Sequence, residues 1–583
     1  MVNTIEDHLE IIPLNGIDSS APPLLPKKSY NISPPPAVPK RQHTKNSISC
    51  LKFWKQRFFD YCSNTSIHGI QYLGERRPTL DRFIWLALIL ISFFFCIDSI
   101  TEIYEKWNDT PVIVSFSEKS TDIWSIPFPA ITICAESKRW HREGMTYDER
   151  LDDFINERKS FTTNLTNEIE EFLTMLHICL NDAEDFANNP PLSYPPVDYI
   201  EVLEKMLPPF GDNFVQCKLL GNDTDNCIQY FRKTYTEEGL CFTFNGLNSQ
   251  DLYREDTVQY QDMQQMEMNT NNFSGGFLGR KLTWSLEEGY TAGTELGTSY
   301  PARVLSSGTK AGVTAILLDN KTNIDYGCRE ASQGYKLLLH SPDDVPQVSK
   351  HFLHIPMNEE TTIAVLPSMM TTSKAIAKYS PEKRQCYMAK ERQLRFFQVY
   401  TENNCELECL TNFTLHRCGC VKFSMPRNRD MPLCREHQIH CYENAEDDLM
   451  LEQFSDNLDN CHCLPACTSL DYNVEISQSY FDVERTLNAM SGGQEQEEEQ
   501  KMPEQQQISN YEYASFSIYF KDNHFITIKR SELYGLYDFI ANCGGILGLF
   551  MGVSILSVIE IFYHLTLRLW ANLKRKISIK IIT

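Results

Sequence analysis

NCGGILGLFMGVSILSVIEIFYHL, residues 542–565, is apolar enough to lie in a lipid bilayer, yet it contains four glycines, two serines, a glutamate and a histidine. It belongs to a longer apolar run, Leu536 to Leu569, and a second apolar run extends from Phe83 to about Thr101. Since about 20 helical residues cross the hydrocarbon core, each run can span a membrane once. The earlier run lies too far from Met1 for a cleaved signal peptide, so we expect it to remain as an anchor.

Charges that flank the two runs predict the orientation of the chain. Arg76, Arg77 and Arg82 precede the first run, whereas Arg568 lies at the very end of the second run and Lys574 follows it. Cytoplasmic flanks of membrane helices are enriched in such residues, so both termini are expected in the cytoplasm. The predicted order is a cytoplasmic region at 1–81, a first transmembrane helix at 82–102, an extracellular domain at 103–535, a second transmembrane helix at 536–569 and a short cytoplasmic tail at 570–583.

Composition narrows the class of protein. The chain has 583 residues, too many for one ordinary domain, and its net charge of −23 argues against nucleic acid as a partner. Sixteen of its 20 cysteines fall between Cys134 and Cys467, which predicts disulfides in an oxidising compartment. Histidines beside cysteines in HRCGC and CHCLPAC could suggest zinc in a cytosolic protein. Outside the cell a disulfide ladder is favoured, so no metal site is expected.

The segment between the two runs is predicted to be an α+β domain. AITIC, YKLLLH and YASFSIYF are typical of strands, whereas DDFINERKSF and EIEEFLTMLHICL are typical of helices. The segment also contains glycosylation sequons, which agrees with an extracellular location. The expected sites are Asn108, Asn164, Asn222, Asn272, Asn320 and Asn412.

The residues of the second run divide between two helical faces. One face contains Ala541, Gly544, Gly545, Gly548 and Gly552, and its glycines have the spacing that lets membrane helices approach closely. The opposite face contains Ser554, Ser557, Glu560 and His564. One unbroken helix cannot turn both faces to one partner surface, so we predict a break near Gly552, Val553 and Ser554. A dimerising anchor accounts for the glycines alone, whereas a break and an ionisable residue at membrane depth indicate an ion path.

This glycine and serine pattern, ending at Glu560, resembles the second-span signature of the degenerin/epithelial sodium channel superfamily, with its Gly-x-Ser filter. Further matching blocks follow in order along nearly the whole chain. They are His68-Gly69, FPAITIC at 128–134, CFTFN at 241–245, GYKLLLHSPDDVP at 334–346 and the cysteine-rich run that ends at Cys467. RQC and FFQVYTENNCELECL are most similar to the insect pickpocket branch.

The resemblance implies a plasma-membrane channel, a homotrimer or heterotrimer of related subunits surrounded by lipid, with an extracellular domain likened to a clenched hand. It would be sodium-selective and amiloride-sensitive, with Na⁺ as its permeant ion and no cofactor. Gly552, Val553 and Ser554 would form the selectivity filter, with Ser557, Glu560, His68 and Gly69 at the inner pore. Ala541 would occupy the position at which enlargement locks these channels open. YSPEKRQC lacks the tryptophan that acid-sensing relatives have before this cysteine, so proton gating is not expected.

The resemblance also implies a connectivity for the cysteines. The pairs that it gives are Cys134–Cys241, Cys217–Cys227, Cys386–Cys467, Cys405–Cys463, Cys409–Cys461, Cys418–Cys441 and Cys420–Cys434. This connectivity leaves over Cys179 and Cys328, and we expect an eighth bridge between them. The nested order would staple two antiparallel helices together.

Other classes of protein fit the sequence less well. A non-conducting accessory subunit or receptor of a heteromeric channel would keep the disulfide ladder but could lose the filter and Glu560, which are present here. ATP-gated channels share two spans and a disulfide-rich domain, yet they lack this Gly-x-Ser block. An enzyme is not expected, because no Gly-x-Ser-x-Gly or His-Glu-x-x-His motif is found. The stimulus stays open: force, a peptide, a pheromone-like ligand, osmolarity and constitutive leak are each compatible, and an extracellular ligand or tether is a possible partner.

Overall fold

The structure is a computed structural model, and it divides into two compact units. One unit contains the described residues up to Leu90 and those from Ile555 onward, and the other contains those from Ile91 to Ser554. The expected helix at 152–161 and the sequons Asn164 and Asn272 lie outside the described residues. The described residues are 50–109, 111–138, 147, 149, 151, 167–179, 195–206, 213–224, 227–261, 280–321, 327–328, 332–453, 461–482, 485–486, 511–568, 570–571 and 574.

Helices and strands are mixed along the described chain. The α-helices are α1 (Cys50–Cys62), α2 (Ile70–Gly74), α3 (Thr79–Asp109), α4 (Asn167–Cys179), α5 (Tyr199–Met206), α6 (Ser249–Leu252), α7 (Pro381–Arg384), α8 (Glu402–Cys418), α9 (Ile439–Gln453), α10 (Leu536–Met551) and α11 (Ile555–Leu565). The strands are β1 (Val112–Asp122), β2 (Ala130–Ala135), β3 (Phe214–Leu219), β4 (Asn222–Thr224), β5 (Phe231–Thr236), β6 (Gly239–Phe244), β7 (Trp284–Ser285), β8 (Gly289–Tyr290), β9 (Val313–Asn320), β10 (Gly334–His340), β11 (Leu353–Pro356), β12 (Glu359–Thr372), β13 (Ser469–Tyr480), β14 (Tyr511–Phe520) and β15 (His524–Glu532).

The α+β prediction for the middle segment is confirmed. The three strand-like runs correspond to β2, β10 and β14, and EIEEFLTMLHICL corresponds to α4. β2 is almost wholly buried, which explains why AITIC is a nearly continuous apolar run. In β14 the buried stretch alternates apolar residues with Ser515 and Ser517.

The second unit is built on two sheets. One has eight strands, in the order β1-β15-β12-β14-β9-β3-β4 with β13 also paired to β12, and the other has five, in the order β11-β10-β2-β6-β5. A single hydrophobic cluster takes side chains from both, including Phe244 and Ile133 from the smaller sheet and Phe516, Ile363 and Val313 from the larger one. Burial of this cluster therefore holds the two sheets together.

Helices α4, α5 and α8 pack in two further clusters of the second unit. One joins α4 and α5 to residues around Phe423 and Tyr442. The other joins α8 to Phe396 and Phe397. α8 is capped at both ends, because the Thr401 side chain accepts the Asn404 N–H and Gly419 is left-handed with φ 70°.

The apolar runs form helices that differ from the predicted bounds. Among the described helices, α3 is long and apolar enough to cross a membrane alone, and α10 and α11 meet the same criterion as a broken pair. α3 extends beyond the predicted 82–102 in both directions. An ion pair between Lys106 Nζ and Glu102 Oε1, at 2.7 Å and one turn apart, stabilises the part of α3 that follows the apolar run.

Candidate functional site: a broken apolar helix and an inner polar cluster

The predicted break lies where the two faces of the second run conflict. α10 ends at Met551, and Gly552 adopts a left-handed conformation with φ 65° and ψ 21°. Its N–H donates to the Gly548 carbonyl at 2.9 Å, and the Val553 N–H donates to the Leu547 carbonyl at 3.2 Å. A side chain at residue 552 would be strained in this conformation, so the glycine is needed to end the helix. α11 then begins at Ile555, which leaves residues 552–554 outside both helices.

Ser92 satisfies one of the carbonyls at the end of α10. The last carbonyls of a helix have no partner within it, and in an apolar environment such a group is costly to leave unpaired. The Ser92 hydroxyl, on α3, donates to the Phe550 carbonyl at 2.7 Å. Sequence reasoning missed this residue. Its signal is a single hydroxyl within the apolar run LALILISFFF.

The glycine face of α10 is open within this chain. A Cβ atom added to Gly544, Gly545 or Gly548 would have no heavy atom within 4 Å among the described residues, apart from its chain neighbours and its own helix backbone. Ala541 is exposed as well. The close packing that the small-residue spacing predicts is therefore not made by the described part of this chain.

An inner polar cluster forms in the first unit around Ser557 and Glu560. Ser557 is 1% exposed, and its Oγ lies 2.8 Å from Ser66 Oγ. Ser66 also donates its hydroxyl, at 3.2 Å, and its backbone N–H, at 3.4 Å, to Glu560 Oε2. Since the Ser66 hydroxyl has one proton, Ser557 is the donor to Ser66 whenever Ser66 donates to Glu560.

The His68-Gly69 pair shapes the loop that contains Ser66. Gly69 is left-handed, with φ 83°, and a Cβ there would lie 3.1 Å from Ile89 Cγ1, so both its conformation and its surroundings favour glycine. His68 itself is exposed. The structure thus brings Ser557 and Glu560 together with the predicted loop, but through Ser66 and not through His68. Sequence reasoning missed Ser66, which lies two residues before the histidine.

A second group of contacts in the same unit joins α1 to His564 of α11 and to Arg568. Arg568 Nη2 lies 3.3 Å from the carboxylate of Asp60. The rings of Tyr61 and His564 meet edge to face, with centroids 5.4 Å apart. His564 therefore packs against α1 and is not joined by a described hydrogen bond to Ser557 or Glu560.

Eight disulfides crosslink the second unit, and they join the pairs that the family resemblance implies together with the eighth pair. They are Cys134–Cys241, Cys179–Cys328, Cys217–Cys227, Cys386–Cys467, Cys405–Cys463, Cys409–Cys461, Cys418–Cys441 and Cys420–Cys434. Cysteines next to histidines are therefore bonded to other cysteines. Within the described chain no group of three or more His, Cys, Asp or Glu side chains is placed to hold a metal ion.

The described sequons differ in accessibility. Asn222 and Asn412 are exposed, and Asn108 is half-buried at the end of α3. Asn320 is only 2% exposed, at the end of β9 in the core sheet. This low exposure argues against a glycan at Asn320 in the folded chain, and glycosylation there stays untested.

Comparison with known proteins shows the family of the chain. A model of the amiloride-sensitive sodium channel family matches residues 61–564. Pickpocket protein 28 of Drosophila melanogaster is 28% identical over 90% of this chain and 80% of its own length. Sodium channel protein Nach of the same species is 23% identical over 90% and 89%, and human acid-sensing ion channel 2 is 22% identical over 87% and 85%. The chain therefore belongs to the amiloride-sensitive sodium channel family, as a subunit of a sodium-type cation channel and not as an enzyme.

Proposed function

We propose that this chain is a pore-forming subunit of a trimeric, amiloride-sensitive channel that passes Na⁺ selectively down its gradient across the plasma membrane. The chain would span the membrane twice, with both termini in the cytoplasm. Identical or related subunits would complete the trimer. The stimulus would act on the extracellular domain as a ligand or through a tether.

The observation that carries this proposal is the helix break at Gly552, Val553 and Ser554. Irregular backbone at membrane depth is tolerated only where it is enclosed by protein or lines a water-filled cavity. Three copies of the break around an axis would present carbonyl and hydroxyl oxygens that can replace part of the hydration shell of an ion. These residues are therefore proposed as the selectivity filter.

The open glycine face supports assembly around that axis. A Cβ added to Gly544, Gly545 or Gly548 would meet no described heavy atom within 4 Å outside its own helix backbone and chain neighbours, so a helix of another subunit could approach this face closely. Ala541 lies one turn earlier and is proposed as the gate position. Its small side chain would let three copies pack near the axis in the closed channel.

Ser557 and Glu560 are proposed as inner-pore residues. An ionisable side chain within a membrane span is costly and by default indicates a path for ions. Here Glu560 accepts hydrogen bonds from Ser66, so the His68-Gly69 loop would set the position of the carboxylate. A subunit that only accompanies a conducting partner would need neither this cluster nor the break.

The test is two-electrode recording from oocytes that express the chain alone and with related subunits, in Na⁺ and K⁺ solutions, with and without amiloride. Because the stimulus is unknown, Ala541→Phe serves as an open background. On this background we expect Ser554→Leu to abolish the current or its selectivity, because the filter has no spare volume. Leu549→Ile, on a side chain that is 80% exposed, is the matched control and should conduct normally. Surface labelling must show equal delivery of the two variants.

Selective, amiloride-sensitive current that persists in Ser554→Leu would contradict the filter assignment. An accessory role would be favoured if current appeared only with a related subunit and stayed unchanged when Ser554→Leu was made in this chain alone.

A further inference from the structure

A cavity of about 370 Å³ lies in the second unit, away from the membrane helices in sequence. The turn between β3 and β4 lines it, together with Tyr230, Arg280 and much of the segment 296–311. Its volume lies at the small end of the ~300–1,000 Å³ that is usual for small-molecule sites. The proposed pore does not use this cavity.

The charge of the lining is opposite to that of the chain. Arg280, Arg303 and Lys310 line the cavity, and no acidic residue is among the described residues around it. The whole sequence, in contrast, has 77 acidic and 54 basic residues. A basic cavity in an acidic protein attracts anions to one place and not to the surface in general.

Arg303 is held in a fixed position at this cavity. Its Nη1 donates to the Trp124 carbonyl at 3.0 Å and its Nη2 to the Thr294 carbonyl at 2.7 Å. The guanidinium also lies over the Tyr290 ring, 4.3 Å from the centroid. Its Nε–H is buried and has no acceptor among the described residues. A guanidinium that is fixed in advance loses little entropy when it binds a carboxylate or a similar anion.

The rest of the wall is largely apolar. Leu219, Leu220, Leu296 and Val304 line the cavity beside the three cations. Such a lining suits a ligand that has both a charged group and a hydrocarbon part, because each apolar side chain can cover hydrocarbon that would otherwise face water. A fully polar anion would make no apolar contact with these side chains.

We propose that this cavity binds a small extracellular carboxylate with a short apolar tail. The carboxylate would lie among Arg280, Arg303 and Lys310, and the tail would lie against the leucines. The exposed sequon Asn222 is at the same cavity, so a glycan there would stand at its edge.

Hydrogen bonds from Ser307 and Gly308, which follow the lining residue Ser306, connect this segment to the turn before β15. Gly308 N–H donates to the Phe520 carbonyl at 2.9 Å, and Ser307 N–H donates to Asn523 Oδ1 at 2.7 Å. These partners lie at the turn between β14 and β15, and β15 ends at Glu532, shortly before α10 begins at Leu536. A bound ligand would thus act on the turn between these strands. This effect on gating rests on the proposed channel function, whereas binding itself does not.

Binding is tested on the full-length protein in lipid nanodiscs, by calorimetry with butanoate, hexanoate and octanoate as probes. Hexanol is the matched neutral probe, and chloride and sulfate are the inorganic anions. We expect hexanoate to bind more tightly than hexanol and the inorganic anions. Each added methylene should lower Kd roughly threefold to fourfold until the cavity is full.

Variants separate this site from general charge effects. Arg280→Gln with Lys310→Gln should weaken hexanoate binding about tenfold or more, since hydrogen bonds to charged groups are lost. Ser306→Trp, at an exposed position of the lining, should block binding while it keeps the cations. Lys218→Gln is the matched control, because Lys218 is exposed next to Leu219 but does not line the cavity.

Three outcomes would overturn the proposal. Equal binding of hexanoate and hexanol would exclude a charged site, and equal binding by Lys218→Gln and the double variant would place binding elsewhere. If the double variant instead dissociates the oligomer in native mass spectrometry and wild type binds no carboxylate, an acidic side chain of a neighbouring subunit occupies the cavity. None of these measurements needs current, so failure here leaves the channel proposal standing.

Discussion

The cysteine-rich segment, residues 386–467, and α10 belong to the same unit, but they differ in how much of their packing this chain supplies. In the first, α8 is capped at both ends, buries Cys405 and Leu407, and is joined to its surroundings by disulfides. α10 has no buried residue among its described side chains, and Tyr537 is 87% exposed. The difference shows which contacts one chain can supply. Contacts within the chain hold the described cysteine-rich segment, whereas under the proposed function lipid and other subunits would pack against α10.

The largest effect is expected from the removal of a disulfide, which tests whether covalent loop closure stabilises the cysteine-rich segment. Cys386–Cys467 closes a separation of 81 residues, whereas Cys217–Cys227 closes only 10. Because Cys405–Cys463 is nested inside it, the long bridge alone constrains about 23 residues, for which loop-closure entropy gives about 3.4 kcal/mol, against about 2.7 kcal/mol for the short bridge. We therefore expect Cys386→Ser with Cys467→Ser to reduce surface delivery and melting temperature more than Cys217→Ser with Cys227→Ser. Equal losses would mean that closure of the long loop is not the main contribution.

A smaller effect is expected from a substitution that tests whether only other subunits pack against α10. Ala541→Phe should clash mainly in the closed trimer, where overpacking costs about 1–3 kcal/mol per site. Three copies could turn a mostly closed population into a mostly open one, so current without stimulus is expected. Ile540→Phe, on the adjacent side chain that is 56% exposed, is the control for added bulk.

The measurement is amiloride-sensitive current in unstimulated oocytes, with surface labelling of both variants. If Ala541 faces lipid, the two substitutions should behave alike. Normal delivery of Ala541→Phe without constitutive current, alone and with related subunits, would therefore argue against this gate.

The next effect concerns the first unit, where contacts within the chain hold part of α11. Glu560→Ala should change unitary conductance or selectivity more than it changes assembly, because the carboxylate is bound by Ser66 and is proposed to face the pore. Ser66→Ala should shift the same property in the same direction, and the two changes should not add. Hydrogen bonds to charged groups contribute about 1.5–3 kcal/mol each. Independent effects in single-channel recordings would show that Ser66 does not position Glu560.

Sequence patterns predicted local features, such as the helix break and individual strands, better than contacts between residues far apart in the chain. The break at Gly552 was predictable, because two incompatible faces lie within a few turns of one apolar run. The strands β2, β10 and β14 were predictable from short apolar runs. Ser92 and Ser66 were not, since their partners Phe550 and Glu560 lie hundreds of residues away. The basic cavity was missed for the same reason, as Leu219, Arg280 and Lys310 meet only after the sheet has formed.

The disulfides and the sequon at Asn320 show the limits of prediction from residue patterns and from family resemblance. Residue spacing alone left the disulfide connectivity open, and the family resemblance supplied the pairs. The sequon at Asn320 is intact as a pattern, yet its amide is enclosed because β9 lies within the larger sheet. A local motif cannot report the burial that results from strand pairing.

A pH-dependent effect is expected at the start of α8, where the buried carboxyl group of Asp343 lies next to the half-buried Asp344. Burial, followed by the neighbouring Asp343, raises the pKa of Asp344 to about 7. Asn403 Nδ2 donates to Asp344 Oδ2 at 3.0 Å, so the group is tied to the root of the cysteine-rich segment. A carboxyl group whose pKa is higher in the folded state holds its proton after the unfolded chain has lost it. Folding stability should therefore fall as pH rises from about 4 to about 7.

Asp344→Asn removes this titration and keeps the side-chain shape. We expect its melting temperature to exceed that of wild type by a margin that grows between pH 4 and pH 7 and then stays constant, measured on purified full-length protein. Asp98→Asn, at an exposed position of α3, is the control for the loss of one acidic residue and should give a curve parallel to wild type. Parallel curves for Asp344→Asn would mean that this carboxyl group is ionised in the folded protein. The cysteine-rich segment would then be held by its bridges and its core without a contribution from this proton.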